Sequence, residues 1–417
     1  MLDWLDYAGW FVLGTLLGSQ INHAIYQWAW HPRCISPWSP VAPQAPARRR
    51  WDRLPILGWW GLRRESSIHG AGFWIRPMLL EIGVGVSLAL LYWWEINRFQ
   101  DAQVDTTGLV VRFLGHVTLI SLLAIASFID FDEQTIPDLV TIPGTLMALL
   151  LAGLAPASLL PVEGPGGSEI PLLATAPFAW DVRLNETGGL ICGCACFLAW
   201  CLAIVPKVCT LRSGWRRGIR IMVASIIRPR RKTQARLERT PRQPYLVTRL
   251  MVYSAVVGSI LIGVGWFIGG PGWQSLLTSL LGMAFGGAVI WGVRLVGGYA
   301  MQQEAMGFGD VTLMAMIGAF LGWQSSLIVF FLAPFAALLI GLIQLICVRR
   351  TDIAFGPYLA LAAVVLVTAW QWVWEIRARN FFELGWVVPM LVMVCPVLMG
   401  ILLIVLQWFK GIIRGSG

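Results

Sequence analysis

Eleven apolar segments, at approximately 7–28, 78–97, 109–129, 139–158, 188–206, 250–269, 277–296, 311–322, 326–347, 357–373 and 387–409, dominate this 417-residue chain. Most are close to the roughly 20 residues that a helix needs to cross hydrocarbon. Within a bilayer the backbone must satisfy its own hydrogen bonds, so a series of such segments folds as helices. Composition agrees: 57% of residues are hydrophobic, 13% are charged and the mean hydropathy is +0.70, whereas soluble domains carry about a quarter charged residues. The expected fold is all-α, a polytopic transmembrane helical bundle of about nine to eleven spans, with the 23 Trp as interfacial anchors. The eighth segment, 311–322, is short.

Lys and Arg set the expected orientation. The N-terminus holds Asp3 and Asp6 and no base before the first span, unlike a secretory signal, so that span is expected to be retained with its N-terminus outside. The first loop carries Arg33, Arg48, Arg49, Arg50, Arg53, Arg63, Arg64 and Arg76 and is expected on the cytoplasmic side. Alternation then puts the acidic stretch 159–187 outside and 207–249, 297–310 and the C-terminal tail inside. Within 207–249, 13 Lys or Arg face only Glu238, a net +12 that exceeds the +9 of the whole chain. Its interspersed Ile219, Ile221, Met222, Val223, Ile226 and Ile227 suggest an amphipathic stretch on anionic lipid. No aromatic platform accompanies the charge, so no nucleic-acid partner is expected.

Cysteines and histidines carry no metal pattern. Cys192, Cys194, Cys196 and Cys201 fall in one span, and no CxxC occurs anywhere. Close helix packing through small residues is the reading for the cysteines. His23 and His116 lie in spans, where a satisfied polar residue between helices is expected. No metal site is assigned.

Two aspartates stand apart because carboxylates at membrane depth are costly and therefore point to function. Asp130 ends one span in Phe128-Ile129-Asp130-Phe131-Asp132-Glu133, followed by Ile136-Pro137-Asp138, and Asp310 closes Gly307-Phe308-Gly309-Asp310. Both follow spans running in the same direction, so parity brings them to one membrane face. Two close carboxylates suit acid–base hydrolysis, in which the ionised one takes a proton from water and the protonated one polarises a carbonyl. Gly307 and Gly309 let the backbone approach a substrate strand. Pro137 suits the first turn of a helix. Taken singly, either aspartate reads equally as a helix cap or a snorkelling anchor, and Asp132 and Asp138 compete locally with Asp130.

Together these motifs resemble the paired signature of prepilin peptidases, the type IV leader peptidases among the Gly-x-Gly-Asp membrane aspartyl proteases. Further stretches are similar: Gly18-Ser19 with Asn22, Asp52-Arg53-Leu54-Pro55-Ile56-Leu57-Gly58-Trp59, Ile75-Arg76 with Glu81, and Phe355-Gly356-Pro357-Tyr358. The resemblance implies an aspartic endopeptidase with Asp130 and Asp310 as the catalytic pair, supported by Pro137, Asp138, Gly307 and Gly309. It implies prepilin or pseudopilin substrates cleaved at the cytoplasmic face of a bacterial inner membrane. Many members then methylate the new N-terminus with S-adenosylmethionine, and Gly18, Asn22, Asp52, Pro55, Arg76 and Glu81 mark a first-loop region for substrate or methyl transfer. Proteolysis itself requires no cofactor. Other readings are a Gly-x-Gly-Asp protease with another substrate, or a carrier using the acid pair as a relay.

The chain departs from the family pattern twice. Its first loop lacks paired CxxC motifs, with Glu65-Ser66-Ser67-Ile68-His69-Gly70 where a second pair would stand, so a zinc-organised loop is not expected and methylation is left open. The two aspartates are also 180 positions apart, implying an extra pair of spans between them, which preserves parity. The resulting organisation is a first span at 1–28, a cytoplasmic loop at 29–77, membrane core at 78–158 with the first motif, an inserted region at 159–249, membrane core at 250–375 with the second motif, and a C-terminal span and tail at 376–417.

Overall fold

A computed structural model describes residues 3–41, 45–96, 106–164, 169–205, 243–301, 306–347, 355–385 and part of 387–401. Its long helices are α1 (Asp3–Trp28), α2 (Ile75–Glu95), α3 (Thr106–Glu133), α4 (Asp138–Leu154), α5 (Thr187–Ile204), α6 (Gln243–Ile268), α7 (Gly270–Met301), α8 (Phe308–Cys347) and α9 (Gly356–Thr368). The outer surface is apolar: Leu154 is 83% exposed, Phe267 86% and Leu338 72%. Such a surface is stable against lipid and not against water. The chain is an all-α multi-pass membrane protein, as its hydropathy requires.

Among the described residues, six helices are long and apolar enough to cross a membrane, or seven if the pair Gly356–Thr368 and Trp370–Phe382, bent by 85°, forms one span. This is fewer than nine to eleven, for identifiable reasons. Helix α1 is polar in its second half, α4 has only 17 residues, and most of 387–409 lies outside the described residues. Helix α8 contains two of the expected segments. At Gly322 the backbone leaves the helix with φ 84° and ψ 172°. Ser326 Oγ lies 2.8 Å from where a Cβ on Gly318 would sit, although eight residues of straight helix cover about 12 Å. The chain therefore folds back at Gly322, where a side chain would be strained, and α8 consists of arms 308–321 and 323–347.

The polar residues of α1 hold the first loop. Trp38 Nε1 donates to Ser19 Oγ at 3.1 Å, Gln27 Nε2 donates to Ser39 Oγ at 2.6 Å, and His23 Nδ1 lies 3.1 Å from Ser36 Oγ. At the opposite end of the bundle, the acidic stretch expected as an outer loop is folded onto the helices. It contains an antiparallel hairpin, β1 (Pro161–Glu163) with β2 (Glu169–Pro171), flanked by fully buried Leu160 and Leu172. Backbone carbonyls beyond the hairpin accept from the outer turn of α8: Trp323 Nε1 donates to Ala174 O at 2.7 Å and Gln324 Nε2 to Leu173 O at 2.9 Å. Trp370 Nε1 donates to Pro161 O at 2.6 Å. The basic stretch assigned to anionic lipid, 207–249, falls outside the described residues up to 242.

Candidate active site

Helix α3 stops at Glu133 because Gln134 adopts a left-handed conformation with φ 54°, and its N–H returns to the Asp130 carbonyl at 2.8 Å. A left-handed residue just past the last turn is a common helix stop. Three acids occupy that turn; Asp132 is two positions from Asp130 and one from Glu133, and residues that close do not share a helix face. Asp132 therefore diverges from the other two, and Asp130 and Glu133, three apart, engage different partners. Asp130 faces inward and is 6% exposed. Asp132 accepts from Arg76 Nη1 at 2.6 Å, tying α2 to α3. Glu133 accepts from the backbone N–H groups of Trp30 at 2.7 Å and His31 at 3.1 Å, fixing the exit of α1.

Asp310 is the third residue of α8, and its carboxylate accepts from the Gly307 N–H. That is one half of a capping box, so the capping alternative holds in part. The side chain is nevertheless turned inward, 7% exposed. Asp130 accepts from the N–H of Gly356, the first residue of α9, where a helix N–H has no partner within its own helix. The carboxylates of Asp130 and Asp310 lie within electrostatic reach of each other, and Arg294 of α7 also acts on Asp310. The Arg294 guanidinium sits 5.7 Å from the centre of the Phe308 ring.

The approach of α9 to this site depends on the missing side chain at 356. A Cβ there would lie 2.6 Å from Asp130 Oδ2 and 2.8 Å from Ile136 Cδ1. Gly309 packs against the other side of the same isoleucine, with a hypothetical Cβ 2.8 Å from Ile136 Cβ. Ile136 is thus a wedge between α8 and α9. Pro137 is the N-cap residue of α4, one position outside the helix rather than in its first turn. Asp138 begins that helix and is exposed. Asp132 is thus engaged by Arg76, and Asp138 stands at the start of α4.

The first-loop residues form a second constellation, closed on itself. Glu81 is fully buried and accepts from Ile56 N at 2.6 Å, Trp59 Nε1 at 2.8 Å and Asn22 Nδ2 at 3.2 Å. Asn22 Nδ2 also donates to Pro77 O at 2.9 Å, and Gly18 packs against the backbone of Glu81. Ile56, after Pro55, has φ 62° and ψ −61°, and Leu57 N donates to Pro55 O at 2.6 Å. This is a γ-turn of the rare, strained kind, held in place by Glu81. Asp52, fully buried, accepts from Arg49 N at 2.7 Å and pairs with Arg64. Glu65, also fully buried, receives the Arg48 guanidinium at 3.2 and 3.1 Å. Two buried arginine–carboxylate pairs therefore organise the loop that has no cysteine pairs.

Gly356, Arg294 and Ile136 were not assigned to the site from sequence. A Pro following Gly356 and preceding an apolar run is a helix-start signal, and a helix start supplies free N–H groups for a carboxylate. Nothing in the sequence pairs Arg294 or Ile136 with either aspartate.

Comparison with known proteins bears on the second half of this site. Residues 243–342 match the type IV leader peptidase family. The match includes Asp310 and stops short of Asp130, which geometry alone brings to Asp310. Parts of the chain are also similar to parts of curated proteins. The chain is 34% identical over 117 residues to a prepilin leader peptidase/N-methyltransferase of Pseudomonas putida, covering 27% of this chain and 39% of that protein. A protein of the same description from Myxococcus xanthus is 34% identical over 142 residues, covering 34% and 39%, and one from Escherichia coli is 34% identical over 87 residues, covering 20% and 37%. The chain thus matches less than half the length of these relatives. No solved structure matches it.

Proposed function

We propose that the chain is an aspartic endopeptidase that removes the leader of type IV prepilin-like proteins at the cytoplasmic face of a bacterial inner membrane. The observation that carries this reading is the convergence of two buried carboxylates, from α3 and α8, at one end of the bundle. The match of the leader-peptidase segment around Asp310 supports the substrate class. In the reaction one carboxylate is ionised and the other protonated. The ionised one takes a proton from a water whose oxygen attacks the scissile carbonyl carbon. The protonated one donates to the carbonyl oxygen; as the C–N bond breaks, the first carboxyl passes the proton it took from water to the departing amine nitrogen, and the second takes a proton back from a hydroxyl of the tetrahedral intermediate. Fixed N–H groups from Gly356 and Gly307 hold the carboxylates without reorganisation at the moment of reaction. The basic segment 207–249 rests on anionic lipid of the same face.

The curated relatives are named N-methyltransferases as well. S-adenosylmethionine would have to meet free polar groups in the first loop, yet Glu81, Asp52 and Asn22 have theirs engaged internally. These residues do not fit a methyl-donor site, and they are read as support for the loop. Co-expression with a prepilin tests the proteolytic reading: Asp130→Asn and Asp310→Asn each stop leader removal while the protein stays in the membrane. Processing retained by both variants would end it. The mass of the new N-terminus reports methylation separately.

A further inference from the structure

His116 lies on α3, 14 residues before Asp130 and about 21 Å from it along the helix. Its Nδ1 is 2.6 Å from Glu95 Oε1 at the end of α2. Both side chains are more than nine-tenths buried, at 4% and 7% exposure. Yet His116 Nε2 and Glu95 Oε2 have no hydrogen-bond partner among the described residues. The expectation of a satisfied histidine thus holds for one ring nitrogen only. Buried polar atoms are almost always paired, and these two border a cavity of about 200 Å³ whose walls also include Arg112, Trp94, Trp370 and Trp372.

The chemistry of the lining selects a ligand. Arg112 is bound to Glu169 at 3.1 Å, so Glu95 contributes a carboxylate in excess of the local guanidinium. The Glu95 oxygen requires a donor, and tryptophan faces attract ammonium groups. Trp372 is 61% exposed on the outer surface of the cavity, as tryptophans are where helices meet lipid headgroups. The site shares no residue with the aspartate pair.

We propose that this cavity binds the headgroup of an aminophospholipid. Its primary ammonium donates to Glu95 Oε2 and His116 Nε2 between the tryptophans, and its phosphate shares with Glu169 the guanidinium of Arg112, whose Nη1 is the group that Glu169 takes. No covalent step is involved. Binding would tie α2, α3 and the 369–372 bend together at the end of the bundle remote from the aspartates.

The test uses the full-length chain in nanodiscs of equimolar phosphatidylethanolamine and phosphatidylcholine, with retained lipid counted by native mass spectrometry. Retention of phosphatidylethanolamine over phosphatidylcholine by roughly tenfold, a preference of about 1.4 kcal/mol, is expected for the native chain. Glu95→Gln keeps the shape and loses the enrichment. Trp372→Ala, a surface change that leaves the core intact, reduces it. Equal retention of the two lipids, as water-filled pockets would give, overturns the proposal, and so does enrichment unchanged in both variants. Stabilisation by soluble O-phosphoethanolamine without lipid enrichment would overturn the membrane source.

Discussion

Asp130 accepts a hydrogen bond from the backbone N–H of Gly356, the residue that opens α9. The bond exists because Gly356 has no side chain, and it anchors one carboxylate of the pair to a helix remote in sequence. Its partner Asp310 is anchored locally, through Gly307. Both acids are bonded to backbone N–H groups at helix starts, so small changes in helix position register at the site.

Gly356→Ala places a methyl group against the Asp130 carboxylate. Prepilin cleavage is expected to fall by about 100-fold, the scale of an ångström-sized misplacement, with the protein still in the membrane. An in vitro cleavage assay within twofold of the native rate would contradict the packing described above.

Asp132 separates geometry from sequence proximity. Its carboxylate is held by Arg76, so Asp132→Asn should leave cleavage within about threefold, whereas Asp130→Asn should lose at least about 100-fold, as removal of a general acid or base does. A reversed order in the same assay would move the working acid to Asp132.

Glu81 supports the strained turn at Ile56. Glu81→Ala leaves the Ile56 N–H and the Trp59 indole N–H buried without their acceptor, at about 1–3 kcal/mol each. The unfolding temperature in detergent should fall measurably, and Glu81→Gln, which keeps one acceptor oxygen, should fall less. An unchanged transition for the alanine variant would show the hub to be dispensable.

The first loop owes its order to ion pairs. Glu65→Ala leaves the Arg48 guanidinium, 7% exposed, without its counter-charge, and breaking such a pair costs about 3–5 kcal/mol. Limited proteolysis should then cut within residues 29–77, while chelator treatment of the native chain leaves the loop resistant. Chelator-induced cleavage would point to a metal in the loop.

Helices were legible because the bilayer imposes one length and one hydrogen-bonding solution. Even the separation of 311–322 from 326–347 appears in the fold, as two arms meeting at Gly322. The meeting of Asp130 and Asp310 was legible through parity. The hairpin at 161–171 was not, since two three-residue strands leave no periodic signal and their register depends on contacts with Trp370 and Arg112. The Gly356 bond escaped for a different reason: a backbone N–H is common to nearly all residues, and only tertiary placement makes one a ligand. The first loop reads in sequence as a run of cationic positive-inside residues, yet Arg48 and Arg64 have inward partners. Charge counts alone cannot separate a topology signal from a buried pair.

The turn at Gly322 limits the depth of the whole machine. The arm from Phe308 to the turn holds 14 residues and so reaches about 21 Å, against a hydrocarbon thickness of about 30 Å. Either the bilayer is pinched around this arm or the aspartates sit beneath the headgroups. On the function proposed above, the peptide bond just outside a substrate's own membrane helix then reaches the acids with that helix still embedded in lipid.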